Sequence, residues 1–219
     1  GINLGQGVCD LPTPGLVAEG AIAAIQAHKA IYAPPQGILE LRQAVAAKIA
    51  RDYEISYYAA SEVLITSGAT GGFAAALMAL CEPGDEIILF EPYYSYHLNT
   101  VLALGMKPVL VPLSPPDWRI TRADIEDVLS DRTRGIVVCS PSNPSGKVIS
   151  EVEQEMLADL CLSEDLIAFT DEIYEHIVFD GVKHVPLAKQ PGMRGRCVSI
   201  SGLSKTFSIT GWRVGYLTA

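Results

Sequence analysis

Basic residues are in the minority: 16 Lys and Arg stand against 25 Asp and Glu in 219 residues, a formal net charge of −9. With no basic cluster either, the sequence lacks the electrostatic footprint of a nucleic-acid or anionic-membrane binder. Cysteine is sparse as well. The five (Cys9, Cys81, Cys139, Cys161 and Cys197) are scattered, odd in number and without a Cys-x-x-Cys pair. They read as small core residues of a reducing compartment, not as a disulfide frame or a zinc site. No apolar run reaches the roughly 18 residues of a membrane span, and no signal peptide opens the chain. A soluble, cytoplasmic protein is the expected class. Two nucleotide patterns are also missing. The apolar run ending in Asp171-Glu172 could be the metal-binding strand of a P-loop ATPase, but no GxxxxGK[ST] precedes it. Gly146-Lys147 is followed by Val148, and Lys205-Thr206 is preceded by Ser204. GxGxxG fails because Gly5-Gln6-Gly7-Val8-Cys9 runs on into Asp10.

Hydrophobic residues, by contrast, make up 49% of the chain. That suffices for one large domain with a buried core, or for one domain and part of another. Short β-rich apolar runs at 63–66, 86–91, 108–113, 135–140, 166–171, 197–201 and 213–218 alternate with segments of helical period. Ile38, Leu41, Val45 and Ile49 mark one helix face at steps of three and four. Val152, Met156 and Leu160 mark another, opened by a capping box of Ser150 and Glu153. Runs apolar on both faces and spaced by helices predict an α/β fold of three layers, with a mostly parallel, about seven-stranded central sheet. Residues 1–30, a Pro/Gly-rich lead and one helix, do not follow this rhythm. They are expected to form an N-terminal arm or a piece of a smaller domain, with 31–219 as the large domain. The sequence stops at Leu217-Thr218-Ala219, in or just after a strand, and reads as part of something longer.

In such sheets chemistry collects at the carboxyl ends of the strands. Those positions hold Gly68-Ala69-Thr70, opening a helix that carries Phe73, Leu77 and Leu80, and then Tyr93-Tyr94, Asn143, Asp171 and Ser201 to Lys205. A glycine-opened helix start, an aromatic pair, an amide, a carboxylate and a lysine suit a flat, charged, phosphorylated ligand. In this order the segments INLGQGVCDLPTP, YAPPQGILELRQAV, ITSGATGGF, PGDEIILFEPYYSY, PSNPSGKV, TDEIYEHIVFDG and SGLSKTFSITGWRVGY cover essentially the whole chain. Together they resemble the pyridoxal-phosphate (PLP) aminotransferases of class I/II, fold type I.

The resemblance implies a role for each matching position. Lys205 matches the lysine that forms the Schiff base with the cofactor aldehyde and then moves a proton between the substrate α-carbon and the cofactor. An amine attacks only as the free base, a form that desolvation and nearby positive charge favour. Asp171 matches the carboxylate on the pyridine nitrogen, whose protonation makes the ring an electron sink. Tyr174 and Asn143 match donors to the phenolic oxygen, whose stabilisation lowers the pKa of the imine. Gly68, Ala69 and Thr70 match the phosphate cradle at a helix start, and Arg213 the arginine that clamps the phosphate. Ser204 or Ser201 adds a hydroxyl there; Gly202 stands where many relatives have serine. Tyr94 matches the residue stacked on the ring, with Tyr93 and Tyr96 competing for the role. Tyr32 matches a tyrosine that reaches the phosphate of the neighbouring subunit, which implies a homodimer with shared sites. Gly7 matches a glycine lying against the substrate carboxylate, and Cys9 stands where relatives often have proline. The implied activity is amino transfer from an L-amino acid to a 2-oxo acid. A carbon–sulfur β-lyase, a cyclopropane-forming synthase and a non-catalytic ligand-binding domain are the alternatives. Relatives bind the substrate α-carboxylate with an arginine of a C-terminal small domain that lies beyond Ala219. An acidic substrate would need a further arginine in the pocket, and Arg42, Arg119, Arg122 and Arg196 read as surface residues.

Overall fold

The computed structural model describes Cys9 and residues 11–219. Its helices are α1 (Gly15–Gln26), α2 (Leu39–Tyr53), α3 (Gly68–Leu80), α4 (Ser95–Ala103), α5 (Arg122–Glu126), α6 (Glu151–Ser163) and α7 (Leu203–Thr206). The strands are β1 (Val63–Ser67), β2 (Glu86–Glu91), β3 (Lys107–Pro112), β4 (Thr133–Cys139), β5 (Ile167–Asp171), β6 (Cys197–Gly202) and β7 (Val214–Thr218). They form one seven-stranded sheet in the order β1-β7-β6-β5-β4-β2-β3. All neighbours are parallel except β7, which runs antiparallel to both β1 and β6. Each strand lies within two residues of its expected position at either end.

The uninterrupted apolar runs have a direct cause: both faces of the sheet are covered. Ile87, Leu89, Val137, Phe169 and Ile200 pack under α3 and α4 with Phe73, Leu77 and Val101. The alternate residues Ile88, Ile136, Val138 and Ala168 pack on the other face with Val45 and Ile49 of α2 and Leu157, Leu160 and Cys161 of α6. A strand buried on both sides has no polar face to show, so period-two alternation disappears.

Two helix faces differ from expectation. In α6 the core face is Leu157, Leu160 and Cys161, while Val152 is largely exposed. Val152 lies in the first turn, where the chain is still entering the layer. In α2, Ile38 is the exposed N-cap, and Arg42 takes the buried place beside Val45 and Ile49. Arg42 is thus not a surface residue. Its guanidinium donates to the carbonyls of Gly37, Ala59 and Ala60 at 3.0–3.1 Å, tying both ends of the segment before β1. Arg122 and Arg196 make ion pairs with Glu126 and Asp165, as rim residues do. Cys81, Cys161 and Cys197 are buried, Cys139 is half-buried and Cys9 is exposed. No described helix is long and apolar enough to cross a membrane.

The capping box at α6 is formed, and its glutamate does more than cap. Glu153 accepts from the Ser150 N–H and hydroxyl, from the Ile120 N–H at 3.0 Å and from Lys147 Nζ at 2.8 Å. Burial pushes its carboxyl up, but these donors outweigh burial and leave it below its ordinary value. Ser150→Ala should therefore cost about 1 kcal/mol in urea unfolding. A depressed folded pKa adds stability that is fully present above the ordinary glutamate value of 4.5 and is lost as pH falls through the folded one. Glu153→Gln should accordingly flatten the acid limb of the stability–pH curve below that value.

Candidate functional site

One cleft of about 830 Å³ opens at the carboxyl ends of the parallel strands. Because β7 is antiparallel, the residues before it arrive at the same edge as the residues after β1, β2, β4, β5 and β6. Arg213, just ahead of β7, thereby reaches the start of α3 from the far end of the sequence.

That approach is very close. A Cβ on Gly215 would lie 2.2 Å from the Gly68 carbonyl carbon and 2.5 Å from the Ala69 nitrogen. Gly68 itself has φ +68°, and a Cβ there would lie 2.4 Å from Arg213 Nη2. Only glycine fits at either place. Arg213 is held in the left-handed region at φ 56°, a conformation that costs about 1 kcal/mol or more for a non-glycine residue. It donates from Nη2 to Thr70 Oγ1 and from Nη1 to the Thr210 carbonyl, both at 3.1 Å. The N-cap of α3, Ser67, makes no side-chain capping bond, and the first turn holds no acidic residue. A helix N-terminus of this kind presents N–H groups and its positive dipole end to an anion. Ala69 and Thr70 line the cleft there.

The deep part of the cleft has the opposite sign. Asp171, 8% exposed, ends β5. Its Oδ1 accepts the Ile173 N–H at 3.2 Å, and its Oδ2 lies 3.0 Å from Nε2 of His97, which is only 3% exposed. His97 sits in the first turn of α4, with its ring 4.8 Å from that of Phe73 and edge-on to that of Tyr94. Sequence reasoning passed over this histidine. The available signal was its i,i+4 spacing to Val101 on the buried face of α4. Nothing local says that such a face meets a carboxylate two strands away.

Between the two ends stands Lys205 on α7, with Nζ 5.6 Å from the centroid of the Tyr174 ring. Burial, and then the charge of Asp171, raise the pKa of the Tyr174 hydroxyl, while the Asn143 side chain works the other way. Tyr174 therefore keeps its proton at neutral pH and is available as a donor. Tyr94, stacked on Tyr96 at 6.3 Å, forms an aromatic wall, and Asn143 and Ser204 also face the cleft. Tyr93 and Tyr96 line it too.

Two expected residues lie elsewhere. The Ser201 hydroxyl is on the far face of the sheet, donating to the Glu172 carbonyl and to Glu175, so it does not reach the cleft. Strand alternation turns Gly202 toward the cleft side instead. A Cβ there would lie 3.0 Å from the Val214 carbonyl oxygen, so the glycine suits the tight β6–β7 pairing. Tyr32 is fully exposed and away from the cleft, and Gly7 lies outside the described residues. Cys9 does line the cleft, its Sγ 2.9 Å from Ser208 Oγ.

Chemically, the cleft offers an anion seat at one end, a carboxylate for a cationic N–H at the other, and a primary amine and an aromatic wall between. A family model described as aminotransferase class I and II matches residues 1–219. The chain belongs to that family. Among these aminotransferases, the probable N-succinyldiaminopimelate aminotransferase DapC of Mycobacterium tuberculosis is 39% identical over 218 residues, 98% of this chain and 55% of that protein. An aspartate aminotransferase of Pyrococcus abyssi is 34% identical over 219 residues, all of this chain and 56% of that one. The solved structure of the Mycobacterium tuberculosis N-succinyldiaminopimelate aminotransferase superposes with a TM-score of 0.96 at 38% identity, covering 99% of this chain and 57% of that chain. The chain spans about half the length of the curated relatives it matches.

The glycine contact is open to direct measurement. Gly215→Ala should cost about 1–3 kcal/mol in urea unfolding, because backbone must move to admit the methyl group. Gly211→Ala, where a Cβ meets nothing within 4 Å, should be nearly neutral.

Proposed function

We propose that this chain supplies the cofactor-binding part of a PLP-dependent aminotransferase, with residues 31–219 as its large domain and 1–30 as an arm. The observation that carries the reading is the placement of Lys205 in one cleft between Asp171 and the Arg213–Thr70–α3 anion seat. The residues present fit the group. The uncapped start of α3 (Gly68, Ala69, Thr70), Arg213 and Ser204 would hold the phosphate. Asp171, with His97 behind it, would keep a ring nitrogen protonated. Tyr174 and Asn143 would donate to the phenolic oxygen, and Tyr94 would cover one face of the ring.

Bound PLP supplies an electron sink for negative charge developing at a substrate α-carbon. The chain's own residues would hold it and move a proton. Lys205 Nζ would hold the cofactor, and as a free amine in the cleft it would be the base that carries the proton of a substrate α-carbon. His97 orients Asp171, whose carboxylate is otherwise fixed only by the Ile173 N–H among the described bonds. The full exposure of Tyr32 supports its role as a reach-over residue, and hence a homodimer with shared sites. Gly7 belongs to the same proposal, against the substrate carboxylate. A cytoplasmic setting belongs to the same proposal, and the acidic charge balance argues against nucleic-acid or anionic-membrane partners.

Relatives are named for N-succinyldiaminopimelate, aspartate and methionine, so the proposal is for the reaction class: an L-amino acid and a 2-oxo acid. Borohydride reduction of the PLP complex should leave pyridoxyl on the peptide containing Lys205. Lys205→Ala should abolish both the label and the visible absorbance. Labelling of another lysine would overturn the assignment. Incubation of the full-length protein with amino acid and 2-oxo acid pairs should interconvert both amino products; release of pyruvate and ammonia would point to the β-lyase instead. Asp171→Asn should lower turnover by at least about 100-fold, the scale of losing an electrostatic partner that acts at the transition state.

A further inference from the structure

The turn after β5 faces two ways. Asp171 and Tyr174 line the cleft, whereas Glu172 and Glu175 point to the opposite side of the sheet. Glu175 is buried there, 5% exposed, yet it collects four donors from three elements. Lys48 Nζ and the Tyr53 hydroxyl reach its Oε2 from α2. Ser201 Oγ on β6, at 3.2 Å, and the Tyr216 hydroxyl on β7, at 3.4 Å, reach its Oε1. Ser201 also donates to the Glu172 carbonyl at 3.3 Å.

Of the other charged groups nearby, Asp52 of α2 lies 3.8 Å from Lys48 Nζ, and the rest surround the turn itself. Glu172 accepts from Thr170 Oγ1 at 2.8 Å and lies 3.4 Å from His184 Nε2, and His176 follows Glu175 directly. Burial pushes the Glu175 carboxyl up, but the Lys48 charge and the bonds from Lys48 and Tyr53 outweigh burial and hold it below its ordinary value. It is therefore a charged anchor with both oxygens hydrogen-bonded, and each partner removed weakens the hold.

What it anchors matters. Glu175 is one peptide from Tyr174, and its own N–H closes the turn on the Glu172 carbonyl at 3.0 Å. Ser201 lies four residues before Lys205 on the segment that runs from β6 into α7. One carboxylate thus grips two of the segments that present side chains to the cleft.

We propose that Glu175 is a positioning residue: by holding the 171–175 turn to α2, β6 and β7, it sets the Tyr174 hydroxyl against the bound cofactor. This inference rests on the reading in which Tyr174 donates to the cofactor's phenolic oxygen. A merely structural role would lower stability and leave the cofactor's own titration alone.

The test titrates the visible absorbance of bound PLP against pH in the full chain, with thermal unfolding measured alongside. Wild type is compared with Glu175→Gln, Tyr174→Phe and the double variant. Tyr174→Phe should raise the absorbance midpoint by about one to two units, the equivalent of one hydrogen bond to the charged form. Glu175→Gln should move it in the same direction, and should add nothing once Tyr174→Phe is present. Should Glu175→Gln prove insoluble, Ser201→Ala removes one donor, leaves the Lys48 pairing in place, and should give a smaller shift of the same sign. A fall in melting temperature with an unmoved midpoint would overturn the proposal. So would shifts from Glu175→Gln and Tyr174→Phe that simply add. Failure of wild type to form any absorbing complex at Lys205 would instead sink the functional reading beneath it, and the two failures are told apart by that control.

Discussion

The cleft depends on one backbone contact, the meeting of β7 at Gly215 with the first turn of α3 at Gly68. Two glycines let these segments come closer than any side chain would permit. The closeness places Arg213 at a helix N-terminus whose N–H groups no side chain caps. A guanidinium and a helix dipole then act on one spot, and each favours the same ligand charge. The left-handed backbone of Arg213 is the local cost of that geometry. The antiparallel direction of β7 brings the arginine to the reactive edge at all.

The second organising feature is the separation of charge through the sheet. On the cleft side, Asp171 is backed by His97 and faces Lys205 and the anion seat. On the far side, Glu172 and Glu175 are buried among Lys48, His184 and hydroxyl groups of Tyr53, Ser201 and Tyr216. Strand alternation makes this division possible, because neighbouring residues of one short turn must point to opposite layers. Of three carboxylates within five residues, Asp171 stands on one face and Glu172 and Glu175 on the other. Each has its own donors, and the turn is held from both sides.

Much of this was legible in the sequence. The strands could be read because both faces of the sheet are buried and the apolar runs are unbroken. Ser150 and Glu153 could be read because a capping box is a contact between residues three apart. The chemistry-bearing residues could be located because an α/β sheet brings its strand ends to one edge. The misreadings share a different cause. Val152 was assigned by periodicity and Arg42 read as a surface charge, yet the carbonyls around Arg42 and the layer edge at Val152 are made by distant segments. Ser201 was placed by proximity to Lys205, but pleating turned it to the other layer. The His97–Asp171 pair joins residues 74 positions apart, and no local pattern encodes it.

The sequence by itself determined which elements form and which reactive residues stand at their ends, since these follow from local period, capping and the alternation of strand and helix. Only the tertiary structure decided which of those residues meet: Arg213 with Thr70, His97 with Asp171, and Glu175 with four partners from three elements. Such contacts depend on strand order, on the direction of β7 and on gaps that only glycine leaves open. Those are properties of the packed sheet, and no stretch of chain carries them alone.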